Sequence, residues 1–346
     1  MLDDRKLKVL QAIINSYIAS AEPIGSRTIS KKYDLGVSPA TIRNEMSDLE
    51  DLGYLNKPYT SAGRIPSDKA YRLYVDTLMQ EIMSFVDFEK KEEVKKILLK
   101  EMGEIDQLIQ NSAKILSKIT NYTSLAIAPQ FKQSTLKHIQ LISIDECKVL
   151  VIIISESGAV RNTIFRTDNF ISDEQLTAIS NFLNGKLKGL TLEEISNEID
   201  STIFKEMYEF RSMIQDIVPV ISQSLEDMAE IEVYANGVTN IFNFPEYKNI
   251  DKAKSFLSFI EDKELLADAL LENTFDDIFI TIGDENPCEE IKDCSLITAT
   301  YKFGGKTVGK IGVIGPTRMD YYKVIKAVRV IAVNLSEIID YYFAGK

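Results

Sequence analysis

One histidine and three cysteines in 346 residues remove several chemistries at once. Cys147, Cys288 and Cys294 are too few and too unevenly spaced for a disulfide framework. With His138 as the only imidazole, little material is left for a zinc site, and no metal or cofactor is expected. G-x-S-x-G and H-E-x-x-H are both missing, and scattered carboxylates do not nominate an acid/base pair. No catalytic residue is assigned, and an enzyme is not expected. The longest aliphatic run, Val149 to Ile154, falls far short of the roughly 18 residues of a membrane span. The opening Met1-Leu2-Asp3-Asp4-Arg5 has no basic-then-apolar layout, so a secretory leader is not expected. These shortages together describe a reduced, cytoplasmic protein with no membrane partner.

What remains is ordinary globular text, 45% hydrophobic and 27% charged, long enough for two or three domains with large cores. The net charge of −12 argues against indiscriminate coating of nucleic acid, but it is unevenly spread. Residues 1–80 hold eleven basic and ten acidic side chains, whereas the remainder holds 29 against 42. A mildly basic head on an acidic body keeps DNA binding open.

The head reads as three helices and a hairpin. Leu7, Leu10, Ile13, Ile14, Tyr17 and Ile18 recur at helical spacing until Glu22-Pro23-Ile24-Gly25 stops them. Ser26 is expected to cap a short second helix from Arg27 to about Tyr33. Ser38-Pro39 is an N-cap followed by proline at the first helical position. The third helix then runs to about Asp51, with Ile42, Met46, Leu49 and Leu52 inward and Gly53 beyond its end. Two helices joined by a tight turn form a helix-turn-helix layout. Tyr54 to Tyr59 reads as a strand, Thr60 to Gly63 as a turn and Arg64-Ile65-Pro66 as the return, which makes a wing. Ser67-Asp68 opens a helix through Tyr71, Tyr74, Val75 and Leu78.

Further on, Val94, Leu98, Met102, Ile105, Ile109, Leu116 and Ile119 predict one long connecting helix over 89–120. Strands are expected at Leu136–Ile144, Val149–Ile154 and Val160–Phe165, then a helical stretch over 172–228, and a strand again at Ile231–Tyr234. Helices near 248–260 and 262–272 precede strands at Ile278–Ile282, Leu296–Phe303 and Thr307–Ile314. A closing helix begins at Tyr321. Strands, then helices, then strands predict an α+β body interrupted by a helical insertion.

The third helix is where this chain can meet DNA. With Ile42, Met46 and Leu49 inward, a 100° step per residue turns Ala40, Asn44 and Ser47 outward, flanked by Thr41 and Arg43, with Ser38 at the cap. Arginine pairs with guanine and asparagine with adenine in a major groove. Glu45, Asp48, Glu50 and Asp51 fall on the flanks or at the far end. Ser26, Arg27 and Thr28 are placed to hold the phosphate backbone, and Lys57, Tyr59, Thr60, Ser61 and Arg64 on the wing to track phosphate or enter the minor groove.

The block Ser38-Pro39-Ala40-Thr41-Ile42-Arg43-Asn44-Glu45-Met46, continued by Leu49-Glu50-Asp51-Leu52-Gly53-Tyr54-Leu55, resembles the recognition helix of the heat-inducible transcription repressor family HrcA. Ser61-Ala62-Gly63-Arg64-Ile65-Pro66-Ser67-Asp68-Lys69-Ala70-Tyr71-Arg72 is similar to that family's wing, and Gly309-Lys310-Ile311-Gly312-Val313-Ile314-Gly315-Pro316-Thr317-Arg318-Met319-Asp320-Tyr321 to its C-terminal motif. Tyr234-Ala235-Asn236-Gly237 and Asn240-Ile241-Phe242 share the likeness. The resemblance implies a winged-helix domain, set at 1–80, and the connecting segment that carries the long helix read from periodicity is set at 81–120. The resemblance also implies a GAF-like, sensor-type domain from 121–170 and 230–346, and a dimerising domain inserted at 171–229. It further implies a homodimer on an inverted repeat in double-stranded DNA upstream of chaperone operons, kept active by the GroE chaperonin.

Other readings of the same text are narrower. Gly304-Gly305-Lys306-Thr307 mimics a phosphate-binding loop, but its earlier glycine position holds Thr300. Gly309, Gly312 and Gly315 miss the dinucleotide spacing and are read as close packing against the closing helix. His138 is read as structural or surface, and Cys288 with Cys294 as ordinary thiols rather than a redox switch. Two rivals remain: a repressor whose GAF-like body binds a small effector, and a dimeric adaptor working through its acidic body.

Overall fold

The structure, a computed structural model, describes residues 2–59, 62–82, 88–100, 105–128, 135–156, 160–167, 170–191, 194–195, 216–224, 231–272 and 277–344. The chain divides into two compact units, one joining Met1–Pro129 to Glu232–Lys346 and the other formed by Gln130–Ile231.

The first unit opens with α1 (Asp4–Ser20), α2 (Ser26–Lys32) and α3 (Pro39–Asp51). Ile13, Ile42 and Leu49, all fully buried, belong to the helical stripes seen in the sequence, and Ile29 of α2 is buried with them. Burying each such side chain contributes about 1.5–3 kcal/mol. Ser26 is the first helical residue of α2 rather than its cap, a position taken by Gly25. Leu52, expected inward, is 48% exposed. It caps the end of α3, and Gly53 at φ +77° turns the chain away there. The wing is shorter than its sequence suggests: β1 (Leu55–Asn56) pairs antiparallel with β2 (Ile65–Pro66). Then follows α4 (Asp68–Ile82).

The expected single helix over 89–120 is two, α5 (Phe88–Lys100) and α6 (Ile105–Thr120); Met102 lies outside the described residues. Neither is a free connector. Glu337 holds Lys91 and Lys95 of α5 at 2.5 and 3.0 Å, and α6 buries Leu108, Ile109 and Leu116.

Within the inserted unit β4 (Leu136–Asp145), β5 (Lys148–Ser155) and β6 (Val160–Arg166) form their own antiparallel sheet, followed by α7 (Asp173–Leu187). This corrects the expected boundary at 170, because these three strands belong with the insertion and not with the body. Ile139, Leu141, Val149, Val151 and Ile153 share a core with Leu176, Ile179 and Leu183 of α7. Asn184 clasps Ile139 by accepting from its N–H at 2.8 Å and donating to its carbonyl at 2.7 Å. Residues 216–224 are also helical; most of the expected helical stretch between them lies outside the described residues.

The body's sheet runs β7-β3-β10-β9-β8, antiparallel throughout. Its strands are β3 (Thr123–Ile127), β7 (Val233–Asn236), β8 (Ile278–Ile282), β9 (Cys294–Phe303) and β10 (Lys306–Pro316). Consecutive residues Leu296 to Tyr301 are all buried, so both faces of the sheet are covered at this strand, including the small polar side chains of Thr298 and Thr300. The covering helices are α6, α9 (Lys263–Leu271) and α10 (Tyr321–Ala344), with α8 (Ile250–Glu261) packed against α9. Gly309, Gly312 and Gly315 do pack closely, but against β9 and Tyr122 rather than the closing helix. A Cβ at Gly309 would strike the Tyr301 ring, and one at Gly312 would lie 2.6 Å from the Ile297 carbonyl oxygen.

Cys294 is buried with Sγ 2.9 Å from the Tyr247 hydroxyl, and burial pushes its thiol up to about 12. Alkylation needs the thiolate. Iodoacetamide at mildly alkaline pH is therefore expected to modify exposed Cys147 and to spare Cys294 until the chain unfolds. Peptide mass mapping that found equal rates at the two would contradict this. His138 is exposed and pairs with Gln140 at 3.1 Å. Among the described residues no cluster of His, Cys, Asp and Glu is arranged to hold a metal, and no helix is long and apolar enough to cross a membrane.

Candidate nucleic-acid interface

The start of α3 is fixed by Ser38, Pro39 and Thr41. Ser38 caps the helix by accepting from the Thr41 N–H at 3.1 Å, and its hydroxyl meets that of Thr41 at 3.0 Å. Pro39 occupies the first helical position, where its missing N–H costs nothing. Ala40, Arg43, Asn44 and Ser47 are exposed along one face, and Thr41 is half-buried beside them. The side chains of Arg43 and Asn44 make no hydrogen bond or ion pair among the described residues, so they stand free for a base edge. Arg27 and Thr28 at the start of α2 are exposed and Ser26 is half-buried. On the wing, Lys57 and Tyr59 are exposed, whereas Thr60 and Ser61 lie outside the described residues.

Three of the four carboxylates of α3 are paired through contacts that sequence reading missed, and Asp51 stands exposed at the far end of the helix. Glu45 is buried and held by Lys6 at 3.0 Å and Arg5 at 3.6 Å. Lys6 also pairs with Asp48 at 3.1 Å, and these hydrogen bonds hold its ammonium above the usual lysine range. Glu50 is paired with Arg64 at 2.5 Å. The face that would meet phosphate is thus left to neutral and basic groups. No local pattern announces Lys6, because its partners lie some 40 residues away in the chain.

Two further ties frame the wing. Lys69 donates to the Leu52 carbonyl at 2.9 Å and lies over the Tyr54 ring, while Ser67 donates to the Gly53 carbonyl at 2.8 Å. Both close the end of α3 onto the start of α4. Arg64 and Ile24 exchange backbone hydrogen bonds of 2.8 and 2.9 Å, which adds a third strand-like segment to the wing's root. Gly63 makes this approach possible, since a Cβ there would lie 2.4 Å from the Ile24 carbonyl oxygen. Gly63→Ala must push two backbones apart. It is expected to lower stability by about 1–3 kcal/mol, read as a lower unfolding midpoint, and to weaken binding to any duplex. An unchanged midpoint would refute the close approach.

The head is docked onto the body within the same compact unit. Arg72 of α4 donates to both oxygens of Glu285 and to the Ile280 carbonyl at 2.7 Å. Arg318 grips Glu246 and donates to the Ile18 carbonyl of α1 at 3.0 Å. Asp68 accepts from the Asp284 N–H at 3.2 Å, and burial raises its carboxyl above the usual range. Arg72 and Arg318 both belong to the motifs that carried the family likeness.

Comparison with known proteins agrees with this geometry. Residues 1–80 match the family model described as winged helix-turn-helix transcription repressor, HrcA DNA-binding, and residues 106–325 match that of the HrcA protein C terminal domain. The heat-inducible transcription repressor HrcA of Alkaliphilus metalliredigens is 48% identical over 98% of this chain and 98% of its own. That of Ruminiclostridium cellulolyticum is 47% identical over 97% of each. A crystal structure of a hypothetical protein, 21% identical, covers 98% of this chain and 99% of its own with a TM-score of 0.69, which shows a shared fold.

Proposed function

The chain belongs to the HrcA family of heat-inducible transcription repressors, and from that premise we propose that it represses as a homodimer on an inverted repeat. It is a transcription repressor with a winged-helix DNA-binding domain, not an enzyme. In the proposed mechanism each α3 enters a major groove, with Arg43, Asn44, Ser47 and Ala40 facing base edges. Ser26, Arg27, Thr28, Ser38 and Thr41 lie along the phosphates, and Lys57, Tyr59, Thr60, Ser61 and Arg64 hold the flanking backbone. The observation that carries this reading is the Arg43–Asn44 face, exposed and unpaired among the described residues, on a helix whose Glu45, Asp48 and Glu50 are each paired with a cation.

The dimer reading is supported by the outer face of the inserted sheet. Ile142, Leu150 and Ile164 line up across β4, β5 and β6, with Ile142 and Ile164 42% and 58% exposed. Ile152 and Ile154 continue the face. Two copies meeting there would bury it, and the two-fold axis of the protein would then match that of the operator. The GAF-like character of the body, control by the GroE chaperonin and action in the cytoplasm rest on the family likeness.

Fluorescence anisotropy on a chaperone-operon inverted repeat and on a scrambled duplex, across a salt series, tests the reading. A preference of roughly a thousandfold or more supports specific repression, and a gain on adding chaperonin supports the heat-shock circuit. Equal, weak binding to both duplexes would overturn it.

A further inference from the structure

The root of the wing is held from two directions. The Arg64 backbone is bridged to Ile24, and its guanidinium reaches back to Glu50 on the last turn of α3, 2.5 Å away. The Arg64 side chain is only 18% exposed and that of Glu50 31%. Arg64 Nε is buried with no hydrogen-bond partner among the described residues. A cation turned inward this far is poorly placed to reach a phosphate while it keeps its carboxylate. Exposed Lys57 and Tyr59 on the same wing have no such tie among the described residues and can do so.

We propose that Glu50 and Arg64 are positioning residues, whose ion pair sets the wing against the recognition helix so that both meet one duplex together. The inference rests on reading this surface as a DNA interface and refines it, since it moves Arg64 from phosphate contact to scaffold. Glu50 then has a role that its charge alone would not suggest. On electrostatics alone, removing a carboxylate from a DNA-facing domain strengthens binding; if the carboxylate holds the wing, removing it weakens binding.

The sign of that change is the test. Full-length protein is titrated into a labelled mixed-sequence duplex over a salt series, using wild type, Glu50→Gln, Arg64→Gln, the double variant, Arg64→Lys and Lys57→Ala. The expected result is a loss of roughly three- to tenfold for each single glutamine variant, with the double variant no worse than either. The salt slope stays unchanged in all three, whereas Lys57→Ala lowers it by about one. Arg64→Lys, which keeps the pair, recovers most of the affinity. Tighter binding by Glu50→Gln, together with a slope lowered by about one for Arg64→Gln, overturns the proposal and makes Arg64 a phosphate contact. No salt-dependent binding by wild type overturns the DNA reading itself, and the inference with it.

Discussion

Ile164→Glu is expected to split the proposed homodimer and to weaken binding to an inverted repeat by roughly a hundredfold or more. Ile164 stands on the outer face of the inserted sheet, 58% exposed, in register with Leu150 and away from the core that the sheet shares with α7. A glutamate there leaves the unit's own packing alone. In a two-fold interface it places two carboxylates on an apolar surface, where an unpaired charge costs several kcal/mol. A monomer presents one recognition helix, and its second half-site contact is no longer intramolecular. Sedimentation velocity should show the change in mass, and anisotropy the loss on the full repeat but not on a half-site. A dimer that persists with Ile164→Glu would place the interface elsewhere.

Arg43→Ala and Asn44→Ala are each expected to cost about 1–3 kcal/mol on the operator and little on a scrambled duplex. Both side chains are exposed and unengaged among the described residues, so truncation removes the proposed contact to DNA without breaking one inside the protein. Neither belongs to the buried stripe of Ile42, Met46 and Leu49, and folding should be unaffected. Competition between operator and scrambled DNA measures the discrimination directly. Equal losses on both duplexes would reassign these residues to the phosphate backbone.

Much of the candidate interface was legible because the determinants of its local structure are themselves local. Ser38-Pro39 marks a helix start through capping and a fixed φ, and the spacing of Ile42, Met46 and Leu49 turns Arg43, Asn44 and Ser47 outward by helical geometry alone. By contrast, the unbroken aliphatic run of β5 from Val149 to Ile154 carries no alternation, and only the structure turns Val149, Val151 and Ile153 to a core and leaves Leu150, Ile152 and Ile154 on the other face. The apolar outer face became visible as a continuous patch only when the register set Ile142, Leu150 and Ile164 side by side.

The sequence by itself determined the elements of the head, the face that α3 presents and the family to which the chain belongs. Tertiary structure alone decided that β4–β6 leave the body for the insertion, that Glu45 is neutralised by Lys6, and that Arg64 turns inward to Glu50. It also showed why position 63 is glycine, since only a contact with Ile24 forbids a side chain there. The division has a single physical cause. Helical and strand periodicity, caps and turns are set by neighbours a few residues apart, whereas an ion pair or a sheet edge depends on where distant segments come together.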